Sequence, residues 1–173
     1  MQIVLVPSNR IKKLMDPAVK AEVEKNAEIR LSLGEEGEIR IDSKDPVNEW
    51  RAVNIIKAIG RGFESRTALK LLNEEYVFKL INLKDMFSSE KQRIRYKARV
   101  IGTEGKVKTT IEEISDASIC VYGHTIGIIG KMDGAGLAER AIDMILKGAS
   151  HGAVFIMLRK AKNKMQEIEF LHK

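Results

Sequence analysis

Val100-Ile101-Gly102-Thr103-Glu104-Gly105-Lys106-Val107-Lys108-Thr109-Thr110 is the stretch from which the rest of the chain can be placed. Two glycines flank two polar residues, an apolar pair precedes them and a basic, helix-forming run follows. This is the sequence form of a Gly-x-x-Gly turn between two helices, where bare backbone can approach a phosphate chain. A glycine pair alone carries little information, so the flanking residues have to supply the context.

On the N-terminal side, Glu75 to Leu83 alternates apolar and polar residues and predicts a strand. Ser88 and Ser89 are candidate caps for a helix from Glu90 that stops at Gly102. Beyond the turn, Val107, Ile111 and Ile114 share one helical face. Ser118 to Tyr122 and Thr125 to Ile129 read as strands joined at Gly123-His124. Asp133 to Leu146 reads as a last helix, with Gly148 as its C-terminal stop. The predicted order is strand, helix, helix, strand, strand, helix.

The first half predicts the same order. Gln2 to Val6 is a strand, Ser8 caps a short helix through Leu14, and Pro17 to Lys25 is a second helix. Ala27 to Leu33 and Glu38 to Ile41 are strands, joined through Gly34 to Gly37. Asp45-Pro46 opens a helix ending at Gly60, with Val47, Trp50, Val53 and Ile56 as its expected inner stripe. Val19-Lys20-Ala21-Glu22-Val23-Glu24 resembles Val107-Lys108-Thr109-Thr110-Ile111-Glu112, so the simplest reading is an internal duplication. Arg61 to Glu74, with a short helix capped by Ser65, is the expected linker.

This pattern resembles the tandem type I KH family, whose defining site is a Gly-x-x-Gly turn in such a unit. Ile56-Lys57-Ala58-Ile59-Gly60-Arg61-Gly62-Phe63, Val121-Tyr122-Gly123 and Lys147-Gly148-Ala149-Ser150-His151-Gly152 further resemble the archaeal KH-domain ribosome-assembly factors. These are the counterparts of the eukaryotic partner of the Nob nuclease. The resemblance implies an α+β chain of two type I KH domains, each a three-stranded antiparallel sheet packed by three helices. The expected bounds are 1–60, a linker 61–75, a second domain 76–148 and a C-terminal helical extension 149–173. It also implies binding of single-stranded RNA at the 3′ end of small-subunit ribosomal RNA. A ribosome-assembly nuclease or a translation factor is an implied protein partner.

The expected site centres on Gly102 and Gly105, with helix-opening amides and Lys106, Lys108 and Arg99 supplying positive potential. Thr103 is placed to hydrogen-bond a phosphate, and Glu104 to face solvent or pair with a lysine. Ile101, Val107, Ile111 and Ile119 are the candidate apolar floor for bases, with the following strand's backbone reading their edges. The first half has Leu14-Met15-Asp16-Pro17 where the turn should be, so its grip on RNA is expected to be lost.

Charge agrees with this division. Residues 1–75 hold 13 basic and 13 acidic groups, residues 76–147 hold 12 and 9, and residues 148–173 hold 5 and 2. All of the net +6 therefore lies with the intact turn. Arg93, Arg95, Lys97 and Arg99 spread around their helix, and Arg99 is nearest the turn.

Other features carry less. The single cysteine, Cys120, excludes an internal disulfide, reads as a buried small hydrophobe, and fits a cytoplasmic location. His124, His151 and His172 lack metal-ligand spacing; His124 suits a hairpin turn and His151 a helix cap. Tyr122 suits a sheet edge. Val154 to Leu171 has an apolar stripe suited to packing on the protein's own surface or on a partner. No catalytic constellation, cofactor motif or membrane segment is predicted. A messenger-RNA regulator or RNA-decay adaptor, and a protein-interaction scaffold, are the rival functions.

Overall fold

The computed structural model describes residues 1–173, which divide into two compact units, Met1–Phe78 and Lys79–Lys173. The first contains β1 (Gln2–Leu5), α1 (Ser8–Leu14), α2 (Pro17–Ala27), β2 (Arg30–Leu33), β3 (Glu38–Asp42), α3 (Pro46–Gly60) and α4 (Ser65–Ala68), then a 3-10 turn at Leu69–Leu72. From Tyr76 follow β4 (Tyr76–Asn82), α5 (Leu83–Met86), α6 (Glu90–Ile101), α7 (Lys106–Ser115), β5 (Ser118–Tyr122), β6 (Thr125–Lys131), α8 (Met132–Leu146) and α9 (His151–Leu171). The two three-stranded antiparallel sheets share one topology, β1-β3-β2 and β4-β6-β5, with the third strand in the middle.

Each sheet is closed on one face by helices because its alternate residues are apolar. In the first unit Ile39 and Ile41 of the central strand are fully buried with Ile55, Ile56 and Ile59 of α3. In the second, Ile126 and Ile128 of β6 are fully buried with Ile142 and Ile145 of α8, and Ile111 of α7 joins that core. The apolar stripe of α9 packs on α7 and α8 through buried Val154 and Leu158.

The duplication extends to a three-part latch. In the first unit the Glu24 carboxylate accepts from the Leu31 amide at 2.7 Å and lies 3.8 Å from Lys20. In the second, Glu112 accepts from the Ile119 amide at 2.7 Å and lies 3.2 Å from Lys108. Both amides belong to edge strands, whose outward groups have no neighbouring strand to pair with. The left-handed residues before those strands, Glu28 (φ 53°) and Asp116 (φ 56°), correspond as well.

Several local expectations need correction. Trp50 is 69% exposed and Val47 51%, so neither belongs to the inner stripe of α3. The spacing Ala52, Ile55, Ile56, Ile59 is the buried one, and the stripe beside it borders an open cavity of about 500 Å³ with Leu71, Tyr76 and Phe78. Ser8 lies inside α1, and Ser65 donates to Glu22 at 2.5 Å instead of capping α4. Ser89 precedes α6 without a side-chain cap, and α9 is capped by Ser150, not His151. Asp45 caps α3 as expected, and Asp16 caps α2. The short helix expected within residues 61–75 is α4, and with the 3-10 turn it packs on α3. The turn α5 was not expected; it starts where Asn82 accepts from the Lys84 amide at 3.0 Å.

Buried Glu49 accepts from the Ser43 amide at 3.0 Å and from the Met1 ammonium at 2.8 Å. Those bonds hold its carboxyl below the ordinary glutamate value.

Two substitutions test this packing. Asp16→Ala should lower stability by about 1 kcal/mol by freeing the α2 amides, as read by urea unfolding. Gly134→Ala in α8 would gain about 1 kcal/mol from helix propensity alone. A Cβ there, however, would overlap the Ser115 carbonyl oxygen at the end of α7. A net loss of stability is expected, and a gain would show that α7 and α8 do not approach so closely.

Candidate nucleic-acid interface

The corner between α6 and α7 is built from three residues in left-handed or related conformations. Gly102 has φ 76° and ψ 173°, Glu104 φ 55° and ψ 25°, and Gly105 φ 73° and ψ 12°. The Gly102 amide closes α6 on Ala98 O at 2.8 Å, and the Gly105 amide returns to Gly102 O at 3.2 Å. The two glycines serve different ends. A Cβ on Gly102 would overlap the Val107 side chain and stand 2.9 Å from the Val107 nitrogen, whereas one on Gly105 would meet nothing within 4 Å. Gly102 makes the corner possible, and Gly105 leaves open space before α7.

That space lies over a helix start with no side-chain cap. The first-turn amides of α7 therefore have no internal acceptor from a capping side chain, and the helix dipole adds positive potential there. The corresponding corner of the first unit is occupied by the protein itself. Leu14 is fully buried, and Asp16 accepts from the amides of Ala18 at 3.1 Å and Val19 at 3.4 Å. A carboxylate thus stands in the first unit where an anion could stand in the second.

The side chains around the turn fall into three groups. Thr103 and Glu104 are exposed, and Glu104 lies 3.7 Å from Lys106, each side chain 77% exposed. Such a pair in water is weak and readily exchanged for a stronger anion. Val107, Ile111 and Ile119 belong to the core, with Ile111 fully buried, so the surface they would form for bases is closed. Of the expected floor only Ile101 is half-buried.

Arg99 and Lys108 have internal partners. The Arg99 guanidinium donates to Ile145 O at 3.3 Å and Ala149 O at 2.7 Å, and the Arg99 carbonyl lies 2.9 Å from His151 Nε2. Both of its terminal nitrogens are used, so it stitches the end of α6 to the α8–α9 corner and is committed away from a phosphate. Lys108 is held by Glu112. Its position, three residues into α7, still adds to the positive potential of that end.

Sequence reasoning missed the roles of Glu112 and of the β5 edge. Residues of an antiparallel ladder alternate between bonding the neighbouring strand and facing away. The bond from Ile119 to Glu112 marks Ile119 as outward-facing, and Val121, two residues on, faces the same way. The Lys-x-x-x-Glu spacing common to both halves was the available signal, but its acceptor role needed the strand beside it. No group of three or more His, Cys, Asp or Glu side chains is placed to hold a metal ion, and no helix is long and apolar enough to cross a membrane.

Comparison with known proteins places this site in a family context. Residues 77–163 match the model of the eukaryotic-type KH domain (KH-domain type I) drawn from the second KH domain of Pno1. A KH domain-containing protein of Methanocaldococcus jannaschii is 36% identical, over 98% of this chain and 77% of its own. The pre-rRNA-processing protein Pno1 of Aspergillus fumigatus is 30% identical over 66% of this chain. That match spans 46% of the fungal protein, so this chain covers about half the length of such eukaryotic relatives. Dim2p of Pyrococcus horikoshii, solved in a complex with a/eIF2α and rRNA, superposes with a TM-score of 0.86 at 35% identity over 94% of each chain.

The unequal duties of the two glycines are testable by thermal unfolding. Gly105→Ala should cost about 1–2 kcal/mol, the ordinary penalty for a left-handed alanine. Gly102→Ala should cost clearly more, since its methyl also collides with Val107. Equal losses would contradict this geometry.

Proposed function

The chain belongs to the Pno1–Dim2 family of type I KH proteins, and from that premise we propose that it binds single-stranded RNA at the 3′ end of small-subunit ribosomal RNA during ribosome assembly. Its two units are read as tandem KH domains, 1–60 and 76–148, with 61–75 between them and 149–173 as an extension. The observation that carries the reading is the uncapped start of α7 behind Gly105, set against the Asp16-capped start of α2.

An RNA phosphate approaches over Gly105, where there is no Cβ, and accepts from first-turn amides of α7 beyond Lys106, whose own amide donates to the Thr103 carbonyl. Thr103 offers a hydroxyl, and Lys106 releases Glu104 to face the phosphate. Bases lie toward β5, passing Ile101. The Ile119 carbonyl and the Val121 amide face outward there and supply one acceptor and one donor for a base edge. Glu112 has taken the Ile119 amide, so base reading falls to fewer backbone groups than the sequence suggested. Arg99 acts as a positioning residue that fixes the end of α6.

The first unit, with its corner closed and Trp50 exposed, is assigned to protein partners. A nuclease of subunit maturation or a translation factor suits that role; the Pyrococcus relative was solved with a/eIF2α. We place this work in the cytoplasm, with nascent subunits. The chemistry is recognition, and no side chain is assigned to a catalytic step.

The test is RNA binding by the wild type and by a Thr103→Asp/Glu104→Asp variant, using the ribosomal 3′ end and an unrelated single strand. The variant should lose roughly tenfold or more in affinity, about 1.4 kcal/mol, and the wild type should prefer the ribosomal RNA. Equal affinity of both proteins for both RNAs would sink the site. Loss without preference would point to a general RNA regulator, and no binding by either to a scaffold.

A further inference from the structure

At the far side of α6 from the turn, three elements bring four nitrogenous side chains together. Leu83 of α5 donates its amide to the His124 carbonyl at 2.8 Å, which sets Lys84 beside the β5–β6 hairpin tip. Lys97 of α6 donates to the Gly123 carbonyl at 2.9 Å. Arg93, one turn earlier, donates Nη1 to the Phe87 and Ser88 carbonyls at 2.8 and 2.9 Å. Its buried Nε has no hydrogen-bond partner. Lys84 and His124 are exposed, while Arg93 and Lys97 are half-buried and pinned by those carbonyls.

These charges differ from several other lysines of the unit. Lys79, Lys106, Lys108 and Lys147 each lie within ion-pair distance of a carboxylate. None of Lys84, Arg93, Lys97 or His124 forms an ion pair. A concentrated positive potential with no ion-paired carboxylate is the footprint of an anionic partner.

We propose that Lys84, Arg93, Lys97 and His124 form a second phosphate site for the same single-stranded RNA, so that the strand is held at both ends of α6. The inference rests on the RNA-binding reading above and deepens it. Arg93 precedes Gly102 by about 13 Å of helix at the usual rise. A stacked strand covers that in about four nucleotides at 3.4 Å each. The turn α5, which carries Lys84, therefore lengthens the RNA track beyond the Gly-x-x-Gly corner. The pinned carbonyl bonds of Arg93 and Lys97 lower the entropy lost when a phosphate is bound.

The electrostatics of His124 agree. Loss of hydration, then the like charges of Lys84, Arg93 and Lys97, hold its imidazole below the ordinary histidine value, with Glu90 the opposing charge. A phosphate placed among these groups favours the imidazolium, so RNA binding takes up a proton. Affinity for a strand long enough to reach the cluster should then rise as pH falls through the region below about 6.5.

The experiment measures binding of RNAs of about four and about ten nucleotides to the wild type, to Lys84→Ala/His124→Ala and to Thr103→Asp/Glu104→Asp. The first variant should bind the short RNA as the wild type does. It should lose roughly tenfold on the long one, about 1.4 kcal/mol. Its salt slope should shrink by about 0.7 per phosphate contact removed, and the pH dependence should vanish. If it binds the long RNA like the wild type with an unchanged salt slope, the second site does not exist, while loss of binding in the Thr103/Glu104 variant would keep the turn. If neither variant changes binding at either length, the RNA-binding reading of this unit falls too.

Discussion

A four-residue corner must reverse the chain between α6 and α7 while leaving the start of α7 without a side-chain cap. That constraint decides most of what the second unit can do. Gly102 satisfies it by packing its backbone against Val107, in space that a side chain would fill. Gly105 satisfies it by holding a left-handed conformation with nothing in front of it. Any capping side chain at that place would supply an internal acceptor, as Asp16 does at the start of α2.

The first unit shows that closure carried out. It keeps the sheet order, the left-handed residue before the edge strand and the Lys–Glu–amide latch. What it changes is the corner, where Leu14 enters the core and Asp16 takes the α2 amides. The latch is therefore a requirement of the fold, shared by a unit with an open corner and a unit with a closed one. It protects one amide of an exposed sheet edge and so removes one outward-facing backbone donor.

Electrostatics divide along the same line. The excess positive charge follows the open corner, but its distribution is uneven at the level of side chains. Arg99 is spent on carbonyls of the α8–α9 corner, and Lys108 on Glu112. The charge left for a polyanion lies in Lys106, loosely paired, and around the hairpin tip. Net charge by segment pointed to the second half of the chain, yet counting could not separate arginines that build the fold from those that face outward.

The sequence alone was enough to read the six-element order common to both halves, the Gly-x-x-Gly turn of the second and its absence from the first. These depend on periodicity and on glycine, whose conformational freedom is local and readable residue by residue. Only the tertiary structure decided which of two adjacent stripes of α3 is buried, leaving Trp50 outside. It also decided that Ile111 and Ile119 are core, that Arg99 is a stitch, and that Lys84, Arg93, Lys97 and His124 converge. These choices depend on which segments distant in the chain come to lie beside one another. The energy that selects them, burial of apolar area and pairing of buried polar groups, exists only once those neighbours are in place.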